Sequence, residues 1–149
     1  MSVGKYCNRE VVFASKTTAI SEAARRMREH HVGDLVVVEE RSGKRIPIGI
    51  VTDRDLVLGV LAEQVDLDKV TVGDVMSFEL ETTHESDDLL DSVKRMRAKG
   101  VRRLPVVASD GALVGILSVD DLIDILTEHL ADLVALIGRE QRREREQRA

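Results

Sequence analysis

The chain has one cysteine, two prolines, no tryptophan and 2% aromatic residues. Each scarcity excludes something. A lone Cys7 forbids an internal disulfide, which fits a reducing cytoplasm. Tyr6, Phe13 and Phe78 are too few to build stacking platforms for single-stranded nucleic acid. Positive charge is also short. The net charge is -5, whereas a general DNA binder needs a concentrated basic face to neutralise phosphates. No stretch approaches the roughly 20 apolar residues of a membrane span, and the N-terminus lacks the apolar run of a signal peptide. The expectation is a cytoplasmic protein with an aliphatic core that binds neither nucleic acid nor membrane.

What the chain does have is a repeat. Gly49-Ile50-Val51-Thr52-Asp53-Arg54-Asp55-Leu56 returns as Gly115-Ile116-Leu117-Ser118-Val119-Asp120-Asp121-Leu122. Upstream, Met27-Arg28 through Val32, Leu35 and Val37-Val38 returns as Met96-Arg97 through Val101, Leu104 and Val106-Val107. The offset is 69 residues, falling to 66 at the glycine. Duplication at this period implies two units that bury their faces against each other, because neither alone has enough apolar surface. The units run from 3 to 64 and from 72 to 129, joined by a polar connector at 65–71, with a helical extension or tail at 130–149.

Within unit one, Glu10–Phe13 reads as a short strand and Thr17-Thr18 as a helix N-cap. Ile20, Ala23, Ala24 and Met27 follow at helical spacing. Leu35–Val38 is a buried strand, Arg41–Lys44 a turn and Ile46–Val51 a second strand. After Thr52 the chain turns helical through Leu56, Val57, Val60 and Leu61. Unit two copies this order, with a helix from about Asp87, a two-residue hairpin signal at Asp110-Gly111 and a last helix from about Val119. The fold class is α+β: two β-α-β-β-α repeats packed pseudo-symmetrically as one module.

Thr52-x-x-Asp55 and Ser118-x-x-Asp121 carry the chemistry. Either fits a capping box, in which the hydroxyl takes a free backbone N–H and the acid reciprocates. Either also fits a ligand site. A helix N-terminus offers N–H groups and a positive dipole end to a phosphate, and a neighbouring acid can accept two hydrogen bonds from a vicinal diol such as ribose. Both readings stay open on spacing alone. No Ser/His/Asp or Cys/His set supports nucleophilic catalysis, so no catalytic residue is assigned. His30-His31 point to different faces and Cys7 is a single thiolate, so no metal site is assigned.

The duplicated Gly-Ile-Val-Thr-Asp-Arg-Asp-Leu pattern, Val101-Arg102-Arg103-Leu104-Pro105-Val106-Val107 and the leading Asp74-Val75-Met76 together resemble a tandem pair of cystathionine-β-synthase (CBS) domains, over about residues 3 to 129. The resemblance implies a regulatory module, not an enzyme, that requires no cofactor. It binds an adenosine ligand (AMP, ADP, ATP, NAD or S-adenosylmethionine) and pairs into a homodimeric disc. By position it implies that Asp55 and Asp121 hold ribose, with Thr52 and Ser118 near ribose or phosphate and Asp53, Arg54 and Asp120 beside them. Each cleft is completed by the opposite repeat. Phe78, Glu79, Leu80, Val101 and Arg102 are expected to face Asp55; Arg9, Glu10, Val11, Val32 and Gly33 are expected to face Asp121. Arg54, Arg102 and Arg103 are the candidate phosphate partners. Gly33-Asp34 stands where repeat two has Arg102-Arg103. Asp34 disfavours phosphate, so unequal sites are expected, with the Asp55 site richer in positive charge.

The expected function is thus adenine-nucleotide sensing reported to an effector protein. The alternative is a structural CBS module without ligand binding. Leu122, Ile123, Leu126 and Leu130 suit either a dimer face or the core. The charged Arg139–Ala149 reads as a solvated helix end, with a partner-binding tail as the alternative.

Overall fold

Alternating and helical apolar patterns settle into two three-stranded sheets in the computed structural model, which describes residues 1–148. The first repeat contains β1 (Phe13–Ala14), α2 (Ile20–His30), β2 (Asp34–Arg41), β3 (Lys44–Thr52) and α3 (Asp53–Leu56), preceded by a short α1 (Val3–Tyr6). The second contains β4 (Thr83–His84), α5 (Leu89–Lys99), β5 (Arg103–Val107), β6 (Leu113–Ser118) and α6 (Val119–Arg148), preceded by α4 (Val72–Val75). In each sheet the short first strand runs parallel to the middle strand, which pairs antiparallel with the last. Register follows the apolar pattern: Val36 faces Ile50 and Pro105 faces Ile116, so the two copies superpose residue on residue.

The repeats exchange their leading segments. Val3 of α1 is buried with Leu89, Met96, Leu104 and Leu117 in the second core. Its counterpart Val72 of α4 is buried with Ile20, Met27, Leu35 and Val51 in the first. The chain crosses each hairpin at a glycine. A Cβ on Gly49 would sit 2.4 Å from the Ser77 carbonyl oxygen, and one on Gly115 would sit 2.9 Å from that of Asn8. At these crossings Ile50 and Ser77 exchange backbone hydrogen bonds, as do Ile116 and Asn8. The paired glycines of the repeat are therefore where one unit passes under the other. Each core needs residues from both units, which makes the pair one folding body.

Several local expectations change. The first strand is Phe13–Ala14, because Glu10–Val12 crosses toward the other repeat and only Val12 is tied in, accepting from the Val36 N–H at 3.3 Å. Thr17-Thr18 does not cap α2. The cap position is Ala19, and the Thr18 hydroxyl accepts from the Ser15 N–H instead. After α3 the helix widens to a π-turn over Val57–Leu61. The Asp110-Gly111 loop has three residues: Ala108 N–H bonds Ala112 O, and Gly111 takes φ +85°. The two-residue hairpin is Ser42-Gly43, with both φ positive as a type I′ turn requires.

Candidate functional site

Both hydroxyl–acid pairs sit where a strand becomes a helix, and both cap. The Asp55 Oδ2 accepts from the Thr52 N–H at 2.8 Å while the Thr52 hydroxyl accepts from the Asp55 N–H at 3.1 Å. At the second site the Ser118 hydroxyl accepts from the Asp121 N–H at 3.1 Å and donates to the Asp121 Oδ2 at 2.7 Å. Capping occupies one carboxylate oxygen in each case. A carboxylate has lone pairs to spare, and among the described residues neither Oδ1 accepts a protein hydrogen bond. The capping and ligand readings are therefore compatible.

The structure builds a cleft of about 210 Å³ at Asp121. Ser118, Asp120 and Asp121 form one wall. The other comes from the first repeat: Asn8, Glu10, Val11, Val12 and Val32. The crossing at Asn8 and Ile116 holds the walls together. The Glu10–Val12 strip also borders a wider cleft of about 680 Å³ on the side of α2, lined by Arg26, Glu29 and His30. The two hollows share Asn8, Glu10, Val11, Val12 and Val32, so they border the same strip. Another cleft, of about 480 Å³, lies at the far edge of the first sheet near Lys16 and Arg45, away from both acids. It contains neither hydroxyl–acid pair, and the Asp121 groove is the better candidate.

The predicted residues are only partly brought together. Glu10, Val11, Val32, Ser118, Asp120 and Asp121 line one cleft. Arg9 does not reach this cleft; its guanidinium is held by the Gly4 and Val114 carbonyls and by Glu85. Gly33 turns to its own repeat, where its carbonyl accepts from the Asp53 N–H and a Cβ added to it would lie 3.2 Å from the Asp53 Oδ2. On the other side, the Arg102 guanidinium lies 3.7 Å from Asp120, and Val101 and Arg102 line an apolar hollow with Ile123 and Leu126. Phe78 is exposed, with the Lys16 ammonium 5.7 Å from its ring. Glu79 and Arg54 are exposed and Leu80 half-buried. The strip at 79–81 cannot be anchored as 10–12 is, because Pro105 has no N–H where Val36 donates one.

Arg103 is the main departure. Expected as a candidate phosphate partner, it stands on the wall of the Asp121 cleft, bonded through Nη1 to Asp34 Oδ1 at 2.9 Å. Asp34 and Arg103 are equivalent positions of the two repeats, 69 apart. They meet across the pseudo-twofold axis, each at the start of its middle strand. Burial pushes the Asp34 carboxyl above its ordinary value. Arg103 opposes that shift without overcoming it, and Asp53 adds to it. Asn8, Val12 and Ile116 also line the cleft without having been singled out. Asn8 and Ile116 are visible in sequence only as neighbours of the repeated glycine and leading segment.

A family model described as "CBS domain" matches residues 3–61 and again 72–128. An uncharacterized protein of Methanopyrus kandleri is 39% identical over 84% of this chain, and the match spans 62% of that protein's length. Among solved structures, a CBS domain protein from Pyrobaculum aerophilum complexed with AMP is 28% identical, with TM-score 0.72 over 82% of this chain and 90% of that one. A CBS domain pair in complex with methylthioadenosine and S-adenosyl-L-methionine is 25% identical, with TM-score 0.71 over 85% of this chain and 99% of that one.

Proposed function

The chain belongs to the CBS domain family, and we propose that it is a regulatory module holding an adenosine ligand in the groove between Glu10–Val12 and Ser118–Asp121. The observation that carries this reading is the convergence of an apolar strip from one repeat on a hydroxyl–acid helix start from the other. Val11, Val12 and Val32 offer the flat apolar faces a base needs, and their backbone groups can read its edge. Asp121 Oδ1 is placed for a ribose diol, and the first-turn N–H groups of α6 for a polar substituent on the 5′ carbon. The related structures hold AMP, methylthioadenosine and S-adenosyl-L-methionine.

Charge sets the order of ligands. Glu10, Asp34, Asp120 and Asp121 line the cleft, and its one cation, Arg103, is already paired with Asp34. Such a wall disfavours polyphosphates. Adenosines with a neutral or cationic 5′ group are expected to bind here at least as well as AMP, and AMP better than ATP. The counterpart of Asp120 beside Asp55 is Arg54, so the Asp55 side tolerates phosphate better. Binding regulates an effector protein in the cytoplasm only if the bound and free states differ in packing and in affinity. The module is not proposed to catalyse.

Calorimetry with AMP, ADP, ATP, NAD, S-adenosylmethionine and methylthioadenosine tests the reading. At least one ligand should bind below millimolar, and Asp121→Ala should weaken it tenfold or more. Two observations favour a second reading, a structural module without ligand: each acid already serves as a cap through one oxygen, and the Asp121 cleft is small beside the ~300–1,000 Å³ of common ligand pockets. A melting temperature that no adenosine raises would favour that second reading, because a ligand stabilises what it binds.

A further inference from the structure

Arg26 and Arg95 are equivalent positions of the two repeats, 69 apart, and they are anchored alike. Arg95 Nη1 donates to the Thr82 carbonyl at 3.1 Å, and Arg26 Nη1 donates to the matching Phe13 carbonyl at 2.7 Å. What the other terminal nitrogen meets is different. Arg95 Nη2 donates to Asp87 Oδ2 at 2.7 Å; the Thr83 hydroxyl donates to the same oxygen at 3.0 Å and lies 2.9 Å from that of Ser92. In the first repeat the places of Asp87, Thr83 and Ser92 belong to Thr18, Ala14 and Ala23. The acid is gone and the cation stays. Glu22 accepts from the Arg26 Nε at 3.0 Å, and among the described residues Arg26 Nη2 has no acceptor.

Arg26 stands on the wall of the cleft of about 480 Å³ at the edge of the first sheet, a volume within the ~300–1,000 Å³ of common ligand pockets. Phe13, Ala14, Val38 and Ile48 give it an apolar floor. The Arg45 guanidinium lies 4.3 Å from the centre of the Phe13 ring, and Lys16 adds a third cation. The Ser15 hydroxyl sits 3.1 Å from that of Thr17 and 3.2 Å from that of Thr18, a cluster whose protons can turn to a ligand. Two acids share the rim: Glu39 is paired with Arg41, and Glu40 is the register partner of Arg45. Three cations against two acids suit a ligand with one negative charge and oppose one with several. We propose that this cleft binds a small monocarboxylate with an apolar body. The carboxylate takes beside Arg26 the place that Asp87 takes beside Arg95, and the body covers Phe13 and Ile48. The cleft shares no lining residue with the Asp121 cleft, so it stands whether or not an adenosine binds there.

Backbone amide NMR spectra of the isotopically labelled full-length chain test this, titrated with hexanoate, benzoate and phenylacetate. Benzamide, which has the shape of benzoate without its charge, and inorganic phosphate are the controls. At least one carboxylate should give saturable shifts at the amides of Ser15–Thr18, with none from benzamide and smaller ones from phosphate. Thr18→Asp returns to the first repeat the acid that the second one has. The site is then filled from within, and carboxylate affinity should fall at least tenfold while the rest of the spectrum is unchanged. Arg26→Met should abolish the shifts. Should that variant lose its fold, the exposed Arg45 offers a second test, and Arg45→Gln should weaken binding severalfold. Carboxylate shifts that survive Thr18→Asp undiminished would overturn the proposal, as would shifts that fall on Glu10–Val12 and Ser118–Asp121 instead. Shifts from phosphate alone would mark a plain anion site and overturn it too, and so would the absence of a saturable shift with all three acids.

Discussion

The pair on the pseudo-twofold axis makes a prediction against intuition. Arg103 and Asp34 are 30% and 16% exposed and joined at 2.9 Å, so removing one partner looks costly. For a well-buried pair such a loss is about 3–5 kcal/mol. Yet burial holds the Asp34 carboxyl above its ordinary 3.8 despite Arg103, which means the folded protein would sooner have that group neutral. Asp34→Asn should therefore change stability by less than about 1 kcal/mol, or about 2–4 °C in Tm for a chain of this size. Arg103→Met should lose roughly 3 kcal/mol, because the acid stays buried without its cation. Because the positions are equivalent, Asp34→Arg with Arg103→Asp merely exchanges the repeats' roles and should recover to within about 1 kcal/mol, while Asp34→Arg alone sets two cations face to face. The pH dependence has a definite sign. An acid with a raised folded value contributes stability that is full below its unfolded value and lost as pH rises through the folded one. Wild type should therefore gain on Asp34→Asn as pH falls from neutral toward 4. Urea melts at several pH values measure all of this. A loss above about 2 kcal/mol for Asp34→Asn that does not vary with pH would refute the reasoning.

Other consequences can be measured on the same footing. Gly115→Ala drives a methyl against the Asn8 carbonyl and the Cys7 sulfur and should cost about 1–3 kcal/mol by denaturant melts, with Gly49→Ala at least as much. His31 ends α2 at φ 53° where Gly100 ends α5 at φ 66°; His31→Gly should raise stability by about 0.5–1 kcal/mol. Buried Thr83 and Ser92 join Asp87 and Arg95 in a hydrogen-bond network, where the first repeat has Ala14 and Ala23. Ser92→Ala should cost about 1 kcal/mol. The His84 N–H, foremost among its donors, holds the Asp87 carboxyl below the ordinary value, so its contribution, present above the unfolded value, should fade as pH drops through the folded one. An Asp87→Asn variant should show a flatter acid limb.

The repeat made the fold legible because apolar spacing and duplication are both one-dimensional signals. Leu35–Val38 and Leu104–Val107 read as strands and are buried strands, and the last helix starts at Val119 as expected. Boundaries failed where a tertiary contact decides. Glu10–Val12 has the composition of a strand, but it leaves its own sheet to wall the other repeat's cleft. Thr17-Thr18 has cap chemistry, but its hydroxyls close the preceding turn on Ser15. The hydroxyl–acid motif was legible in position and in geometry, and the walls it meets were only partly so. Arg9 and Gly33 are near the cleft in sequence, but their own bonds turn them away.

The pairing of Arg103 with Asp34 was hidden for a different reason. Comparing two copies of a repeat treats each difference as a property of one copy's site. Near a twofold axis that fails, because equivalent positions touch each other. Two copies with the same charged residue there would set like charges together, so a duplicated chain with charge at this place must diverge in sign or lose the charge. Gly33-Asp34 against Arg102-Arg103 is thus a contact between copies before it is a difference between sites. It also links the Asp121 cleft to the start of the Asp55 helix. An anionic ligand that drew Arg103 toward the Asp121 side would leave Asp34 buried beside Asp53, the acid that already opposes its ionisation. Asp53 opens the helix carrying Asp55. Charge displaced at the Asp121 cleft therefore falls on the first turn of the Asp55 helix. In the Asp34→Asn variant this link is cut, and ligand titrated at the Asp121 cleft should no longer be felt at Asp55.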